Sequence, residues 1–551
     1  MNDISPNAVE AQRSLRRESW LIGGLALLLF TIGLWQQPFT GFETRFALFA
    51  QEMLRHGFSL FPTTYGEPYP DYPVTGTLLI RLFSEPFGTV TLISAVLPTA
   101  LASALGCALL YRLLAPHSRQ WALLAVCVQL MTVTFLSEAR AISLDQMVAT
   151  LTLLCFYLAY NADRLQQPNL LRWLPAVLLV GFLVRGPLGI VIPAGVVISY
   201  YAVGSQWRAL LRFAVLAALL LVLTWLALLA LTAHYYGEDF MREVVRMQVF
   251  GRLETNGEST PFYYFTSSFG NYAPAYPLAL LALVPLLRAL RAGERTPVLQ
   301  LGLFLAAWAA LVLVGLSLPH TKKARYILAA VPALAALATL PWAHAARESR
   351  WLRVAVETLF ALLPTVLIIA LAVVHHHNRH RDMQVSLLLP YIVLGLLQIA
   401  AAWAYRYAPR ERRALCHAGA AALSLWTAYA LVVQPVQRHL HDSSVFVAEV
   451  ESLRREKPGD LVLFGMLRDG AAIKYLVNTP YDLAPLFARD EAALDTLSGP
   501  AYIVISDSDR SRLTPSALTR GTPVASGHFD GRAFTTYYLA PRINSASDER
   551  Q

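Results

Sequence analysis

The acids and bases of this 551-residue chain that could do chemistry fall in four stretches, each beside a long apolar run. In GFETRFALFAQEML, residues 41–54, Glu43 and Arg45 stand ahead of Phe46, Phe49, Ala50, Met53 and Leu54, which recur at helical spacing. EPYPDYP follows, with Glu67 and Asp71. SEARAISLDQM carries Glu138, Arg140 and Asp145, and Arg185-Gly186-Pro187 interrupts two apolar runs. HTKKARYILAAVPA gathers His320, Lys322, Lys323, Arg325 and Tyr326. A carboxylate beside a hydroxyl can take its proton, and lysine point charges with forked arginine donors suit a phosphate or pyrophosphate. Plainer readings stand beside these. Glu43 can favour a helix dipole and pair with Arg45, Asp145 can cap a helix or partner Arg140, and the basic cluster can attract anionic headgroups.

The elements that must hold these groups are membrane helices. Apolar residues make up 56% of the chain and charged ones 15%, against roughly a quarter in soluble proteins. The net charge of +9 sits in short clusters between apolar runs, with no basic stripe interleaved with aromatics, so nucleic acid is not an expected partner. Cys107, Cys127, Cys155 and Cys416 all lie in apolar runs and frame neither a disulfide set nor a metal cluster. The basic N-terminal stretch leads into the first run without a small-residue cleavage site, which reads as an uncleaved anchor.

With about 20 apolar residues per crossing, about thirteen spans are expected, near 20–36, 88–114, 120–136, 145–161, 170–184, 187–203, 209–232, 272–290, 298–318, 325–345, 352–374, 385–406 and 413–433. Basic clusters such as Arg13/Arg16/Arg17, Arg112/Arg119, Arg208/Arg212 and Arg406/Arg410 then share one side, which puts the N-terminus inside. The long loops at about 37–87 and 234–271 fall outside, as does the region after the last span. The fold class is therefore an all-α polytopic membrane protein with a small C-terminal α/β domain. Its membrane domain is expected over 1–433 and the outer domain over 434–551. In the latter, DLVLFGM, AYIVISDSD and TTYYLAPR read as strands and SSVFVAEVESLRREK as a helix capped by serine. The basic group at 320–326 lies on the side where orientation does not call for one, which points to an anionic ligand. His375, His376, His377 and His380 form either a metal tract or a solvated turn; carboxylates and His320 are available to a divalent metal, yet no ligand spacing demands one, and no cofactor is required.

These stretches resemble a known family. ETRFALFAQEML with its Pro- and acid-bearing loop is similar to the first outer loop of the GT-C glycosyltransferases, above all the lipid A aminoarabinose transferases and, more distantly, protein O-mannosyltransferases. ISLDQM, VRGPLGIVIPAG, STPFYYFTSSFGNYAPAYPLALL and KKARYILAAVPALAAL continue the likeness in order over about residues 40–345. The resemblance implies a GT-C fold in a bacterial inner membrane, with a cytoplasmic N-terminus and a periplasmic C-terminal domain. It implies a polyprenyl-phosphate sugar as donor and a lipid, glycan or protein acceptor, with membrane lipids around both. Glu43 falls on the second acid of the family's Asp-Glu pair and Asp145 on its acid at the later hairpin, so both are catalytic candidates. Arg185, Lys322, Arg325 and Tyr326 match its donor-phosphate residues; Arg45, Asp71, Arg140 and Lys323 complete the expected substrate-binding set. The chain departs from the family at Phe42, where the pair begins with Asp, at Asp71-Tyr72-Pro73, where a cation is lost, and at Arg246, which stands near the family's His. The Phe/Met face of residues 46–54 is expected to lie in lipid, with Glu43 turned into a cavity between helices. The rival class is a flippase of lipid-linked saccharides, against which the chain shows no repeat and keeps its polar residues to one side.

Overall fold

The computed structural model describes residues 6–540 apart from 35–37, 41, 65, 71–73, 249–259, 345, 377–385, 469, 480, 498 and 515–520. Two compact units emerge, one from Met1–Ile32, Pro70–Leu79 and Val96–Val432, the other from Gly33–Tyr69, Ile80–Ala95 and Val433–Gln551.

In the first unit, each of the thirteen apolar segments forms a helix: α1 (Pro6–Thr31), α2 (Leu92–Leu114), α3 (Arg119–Met131), α4 (Leu144–Arg164), α5 (Leu174–Arg185), α6 (Leu188–Val203), α7 (Trp207–Tyr236), α8 (Ala275–Arg291), α9 (Pro297–Ser317), α10 (Val331–Ala343), α11 (Arg350–His376), α12 (Leu388–Tyr407) and α13 (Arg410–Ala428). By length and composition, eight described helices can cross a membrane, or nine if Tyr263–Asn271 and α8, bent by 110°, count as one span. The others fall short for local reasons. α1 carries Arg16, Arg17 and Glu18, α3 has 13 residues, α4 is polar at both ends, and α6 has 16 residues.

Lipid explains the surface of this unit. On α7, Leu211, Leu219, Leu223 and Leu226 are each more than half exposed, and contiguous apolar surface of that kind is unfavourable in water. Inside the unit, indole N–H groups find carbonyls, as buried polar groups without water must. Trp121 donates to Ala336 O at 2.8 Å, Trp308 to Ala329 O at 2.9 Å and Trp426 to Leu130 O at 3.0 Å. This is a multi-pass membrane protein.

The second unit contains a five-stranded sheet of β1 (Asp460–Phe464), β2 (Leu486–Ala488), β3 (Ala501–Ser506), β4 (Gly521–Phe529) and β5 (Arg532–Leu539) in the order β2-β1-β3-β5-β4. β1 runs parallel to β2 and β3, while β5 is antiparallel to β3 and β4. All six residues of β3 are buried, as a central strand covered on both faces requires. Val462, Phe464, Ile503, Ile505 and Tyr537 share its core. The expected helix spans Ser444–Glu456, but Ser443 gives it no side-chain cap. Its first amide, on Ser444, donates to Asp442 Oδ1 at 2.8 Å, while Ser443 Oγ donates to Lys474 O at 2.6 Å.

The Arg45–His56 helix belongs to this unit, and it corrects one expectation. Phe46, Phe49 and Met53 are at most 2% exposed, so the face expected in lipid is covered by protein. Gln51 Nε2 donates to Val477 O at 3.2 Å, and Phe39 N to Asn478 Oδ1 at 2.7 Å, tying this segment to the C-terminal domain. Helical periodicity reports that a face is buried; it does not report what buries it.

Candidate functional site

Four of the candidate residues meet in the first unit. Ser143 begins α4 as its N-cap, accepting from Gln146 N, and its own amide donates to Thr99 Oγ1 at 3.0 Å. That cap fixes Asp145 in the first turn, where the helix dipole favours a carboxylate. Arg185 is the last residue of α5. Its Nη2 donates to Asp145 Oδ2 at 2.9 Å, and Arg325 Nε donates to the same oxygen at 3.2 Å. Side-chain exposure is 2% for Arg185, 10% for Asp145 and 16% for Arg325. The Tyr326 ring lies 5.9 Å from the guanidinium carbon of each arginine. The result is a buried carboxylate gripped by two cations beside a phenol, with Lys322 and Lys323 half-buried next along the chain.

The backbone that delivers these arginines is built for it. Gly186 turns the chain after α5 at φ 61°, which a side chain rarely adopts. Across that turn, α5 and α6 approach so closely that a Cβ on Gly181 would lie 2.1 Å from the Gly189 carbonyl oxygen. Arg325 sits in an irregular 3-10 stretch, Ala324–Ala330. Buried aromatic donors hold its carbonyls: Tyr264 OH to Lys323 O at 3.2 Å, Tyr272 OH to Ala324 O at 2.6 Å, and Trp308 to Ala329 O. Sequence reasoning assigned no part to Tyr264, Tyr272 or Trp308. For the two tyrosines the signal was the tyrosine-rich STPFYYFTSSFGNYAPAYPLALL, whose spacing does not name an acceptor.

The remaining candidates lie elsewhere. Arg140 Nη1 donates to Leu29 O at 3.1 Å, Phe30 O at 3.3 Å and Ile32 O at 2.9 Å, which satisfies carbonyls at the end of α1. In the second unit, Glu43 is 8% exposed and Arg45 Nη2 lies 3.5 Å from its Oε2. Glu52 is buried on the Arg45–His56 helix; burial pushes its carboxyl above the ordinary value, against the pull of a Gly66 amide hydrogen bond and of His56. Arg246 is 70% exposed and pairs with Glu243 at 2.9 Å. Asp71, His377 and His380 lie outside the described residues. Among the described residues, no group of three or more His, Cys, Asp or Glu side chains is arranged to hold a metal.

Comparison with known proteins follows the same outline. A family model described as dolichyl-phosphate-mannose-protein mannosyltransferase matches residues 71–232. The undecaprenyl phosphate-alpha-4-amino-4-deoxy-L-arabinose arabinosyl transferase of Pseudomonas aeruginosa strain UCBPP-PA14 is 30% identical over 350 residues, 59% of this chain and 59% of that protein. The protein of the same name from Aeromonas salmonicida strain A449 is 25% identical over 421 residues, 70% of this chain and 73% of the other. The match to the Pseudomonas relatives thus spans 59% of their length. Among solved structures, ArnT from Cupriavidus metallidurans bound to undecaprenyl phosphate superimposes with a TM-score of 0.73 at 17% identity, covering 96% of this chain and 99% of that one. The apo form of that protein gives 0.69 at 18% identity, covering 96% and 100%. The structural likeness establishes the fold and the sequence likeness the direction of kinship: this is a GT-C-fold membrane protein resembling the aminoarabinose transferases.

Proposed function

We propose that the chain is an integral-membrane glycosyltransferase that moves a sugar from a polyprenyl-phosphate carrier to a hydroxyl or phosphate of an envelope lipid, glycan or protein. The observation that carries this reading is the pair of guanidiniums converging on Asp145, with Lys322 and Lys323 close in sequence. A cationic group at the first turn of α4 suits an anionic phosphate. The names of the sequence relatives, which specify undecaprenyl phosphate-linked aminoarabinose, and the undecaprenyl phosphate in the ArnT complex support the same donor class.

In this reading the acceptor oxygen attacks the anomeric carbon as the bond from that carbon to the lipid phosphate breaks. The bonding electrons leave with the phosphate. Arg185, Arg325, Lys322 and Lys323 neutralise the departing charge, so the leaving group needs no proton. Glu43 takes the acceptor's proton, with Arg45 orienting it. Asp145 is a positioning residue, because its Oδ2 already accepts from both arginines and holds their forks in place. The contacts of Arg140 with α1 suit a structural part rather than a substrate contact. The membrane domain, residues 1–433, lies in the bacterial inner membrane with its N-terminus cytoplasmic, and the domain of residues 434–551 lies in the periplasm, as the distribution of basic loops supports.

The test is to incubate the purified protein in lipid with a panel of polyprenyl-phosphate sugars, with and without envelope extract, and to follow free polyprenyl phosphate. Release that needs extract and is lost in Arg185→Gln is the expected result. Movement of intact donors between leaflets without release would replace the transferase reading with a flippase.

A further inference from the structure

The helix that carries Asp145 has a second cationic centre at its far end. α4 runs from Leu144 to Arg164, so at 1.5 Å per residue Arg164 lies about 28 Å along the axis from Asp145. There a cavity of about 520 Å³ opens between α1, the end of α2, the start of α3 and the end of α4, within the size range of ligand sites. Arg16, Arg112, Arg119 and Arg164 line it together with Tyr157 and Asn161, and among the described residues no Asp or Glu does. Arg119 pairs with Glu18 at 3.1 Å. Arg16, Arg112 and Arg164 have no ion pair among the described residues.

Two details bear on the three remaining cations. Arg112 stacks its guanidinium 5.7 Å from the Tyr157 ring, and its Nε is buried without a hydrogen-bond partner among the described residues. His117, in the turn between α2 and α3, is pushed down to about 4, first by burial and then by the charge of Arg164. Unpaired cations at close range repel one another, and an arrangement of this kind is stabilised by an anion that accepts from several forks at once.

The setting selects among anions. Trp20, on α1 one turn beyond Arg16, is 64% exposed, and Leu21 is 57% exposed. Trp173, after the end of α4, is 53% exposed with Arg172 5.6 Å from its ring, and Leu165 of the cavity wall is 44% exposed. Exposed tryptophans beside basic residues mark the level of the lipid headgroups. We infer that this cavity binds the phosphate headgroup of an anionic phospholipid, its acyl chains running along the exposed apolar side of α1. The three arginines without an ion pair among the described residues match a headgroup with two phosphates better than one with a single phosphate. The site is separate from the sugar-transfer centre and does not depend on that assignment.

The test is native mass spectrometry of the full-length protein, delipidated and then titrated with cardiolipin, phosphatidylglycerol, phosphatidylcholine or inorganic phosphate. Wild type is compared with Arg112→Gln/Arg164→Gln and with Arg208→Gln/Arg212→Gln, a control pair of exposed arginines at the start of α7. At about 1 kcal/mol for each basic residue near anionic lipid, the cavity variant loses roughly 30-fold in cardiolipin affinity while the control retains it. Arg164→Gln alone, at an exposed position, serves if loss of Arg112 impairs folding, and it loses about 5-fold. Equal cardiolipin binding in cavity and control variants overturns the site. Inorganic phosphate binding as tightly as cardiolipin, with both lost in the cavity variant, overturns the lipid and leaves a soluble-phosphate site.

Discussion

Arg185 Nη2 lies 2.9 Å from Asp145 Oδ2, an ion pair between the last residue of α5 and the first turn of α4 that is almost wholly removed from solvent. Arg325 arrives at the same oxygen from 180 residues along the chain. One carboxylate therefore sets the position of two cations, and most of what can be tested follows from that dependence.

Asp145→Asn removes the counter-charge of both arginines while keeping the side chain's size. Breaking a buried pair from one side costs about 3–5 kcal/mol, and displaced arginines lower turnover on the order of 100-fold. Thermal unfolding in detergent and the polyprenyl-phosphate release assay should both fall. Asp145→Glu should recover part of the stability.

Tyr272 and Tyr264 support the Arg325 segment through backbone carbonyls, at 2.6 and 3.2 Å respectively. Tyr272→Phe leaves the Ala324 carbonyl without this donor, a loss of about 1–3 kcal/mol. It should raise the donor KM more than it lowers kcat, because Arg325 loses its anchorage. Tyr264→Phe, at the longer bond, should do the same to a smaller degree. Equal kinetics in wild type and both variants would remove the tyrosines as positioning residues.

Glu43→Gln tests the base. General-base loss costs roughly 100- to 10,000-fold in kcat, whereas binding of the donor's lipid phosphate should be unchanged. Turnover close to wild type would assign the proton transfer to another group.

Glu52 makes a pH-dependent prediction. Burial raises its folded-state pKa above the ordinary value of 4.5. An acid whose pKa is raised on folding contributes stability while protonated, below its unfolded value, and loses that contribution as pH rises through the folded value. Glu52→Gln should therefore match wild type in acid and be the more stable of the two at neutral pH. Unfolding temperatures across that range check it; a variant less stable than wild type at neutral pH would mean that the hydrogen bonds of the carboxylate outweigh its burial.

The longer helices of the first unit were legible because an apolar run of about 20 residues announces itself by composition, which α3 and α6 are too short to supply. The strands of the C-terminal sheet were legible too, since Ala501–Ser506 is a continuous apolar run closing in a polar turn. How the helices face one another was not. α7 is apolar all round, so no polar face marks which residues meet lipid and which meet protein. The candidates Asp145, Arg185 and Arg325 could be named separately, but no spacing says that residues 40 and 180 apart share one oxygen. The hydrogen bonds from Tyr264, Tyr272 and Trp308 were hidden for a different reason. Every residue has a carbonyl, so a carbonyl acceptor leaves no mark on the sequence.

The most direct test of a donor-phosphate site at Arg185 and Arg325 is a cryo-electron microscopy structure of the protein in lipid with undecaprenyl phosphate. The expected result is phosphate density within hydrogen-bonding distance of Arg185 or Arg325, and its loss in Arg185→Gln. Ordered phosphate density elsewhere, with Arg185 and Arg325 still closed on Asp145, would contradict it.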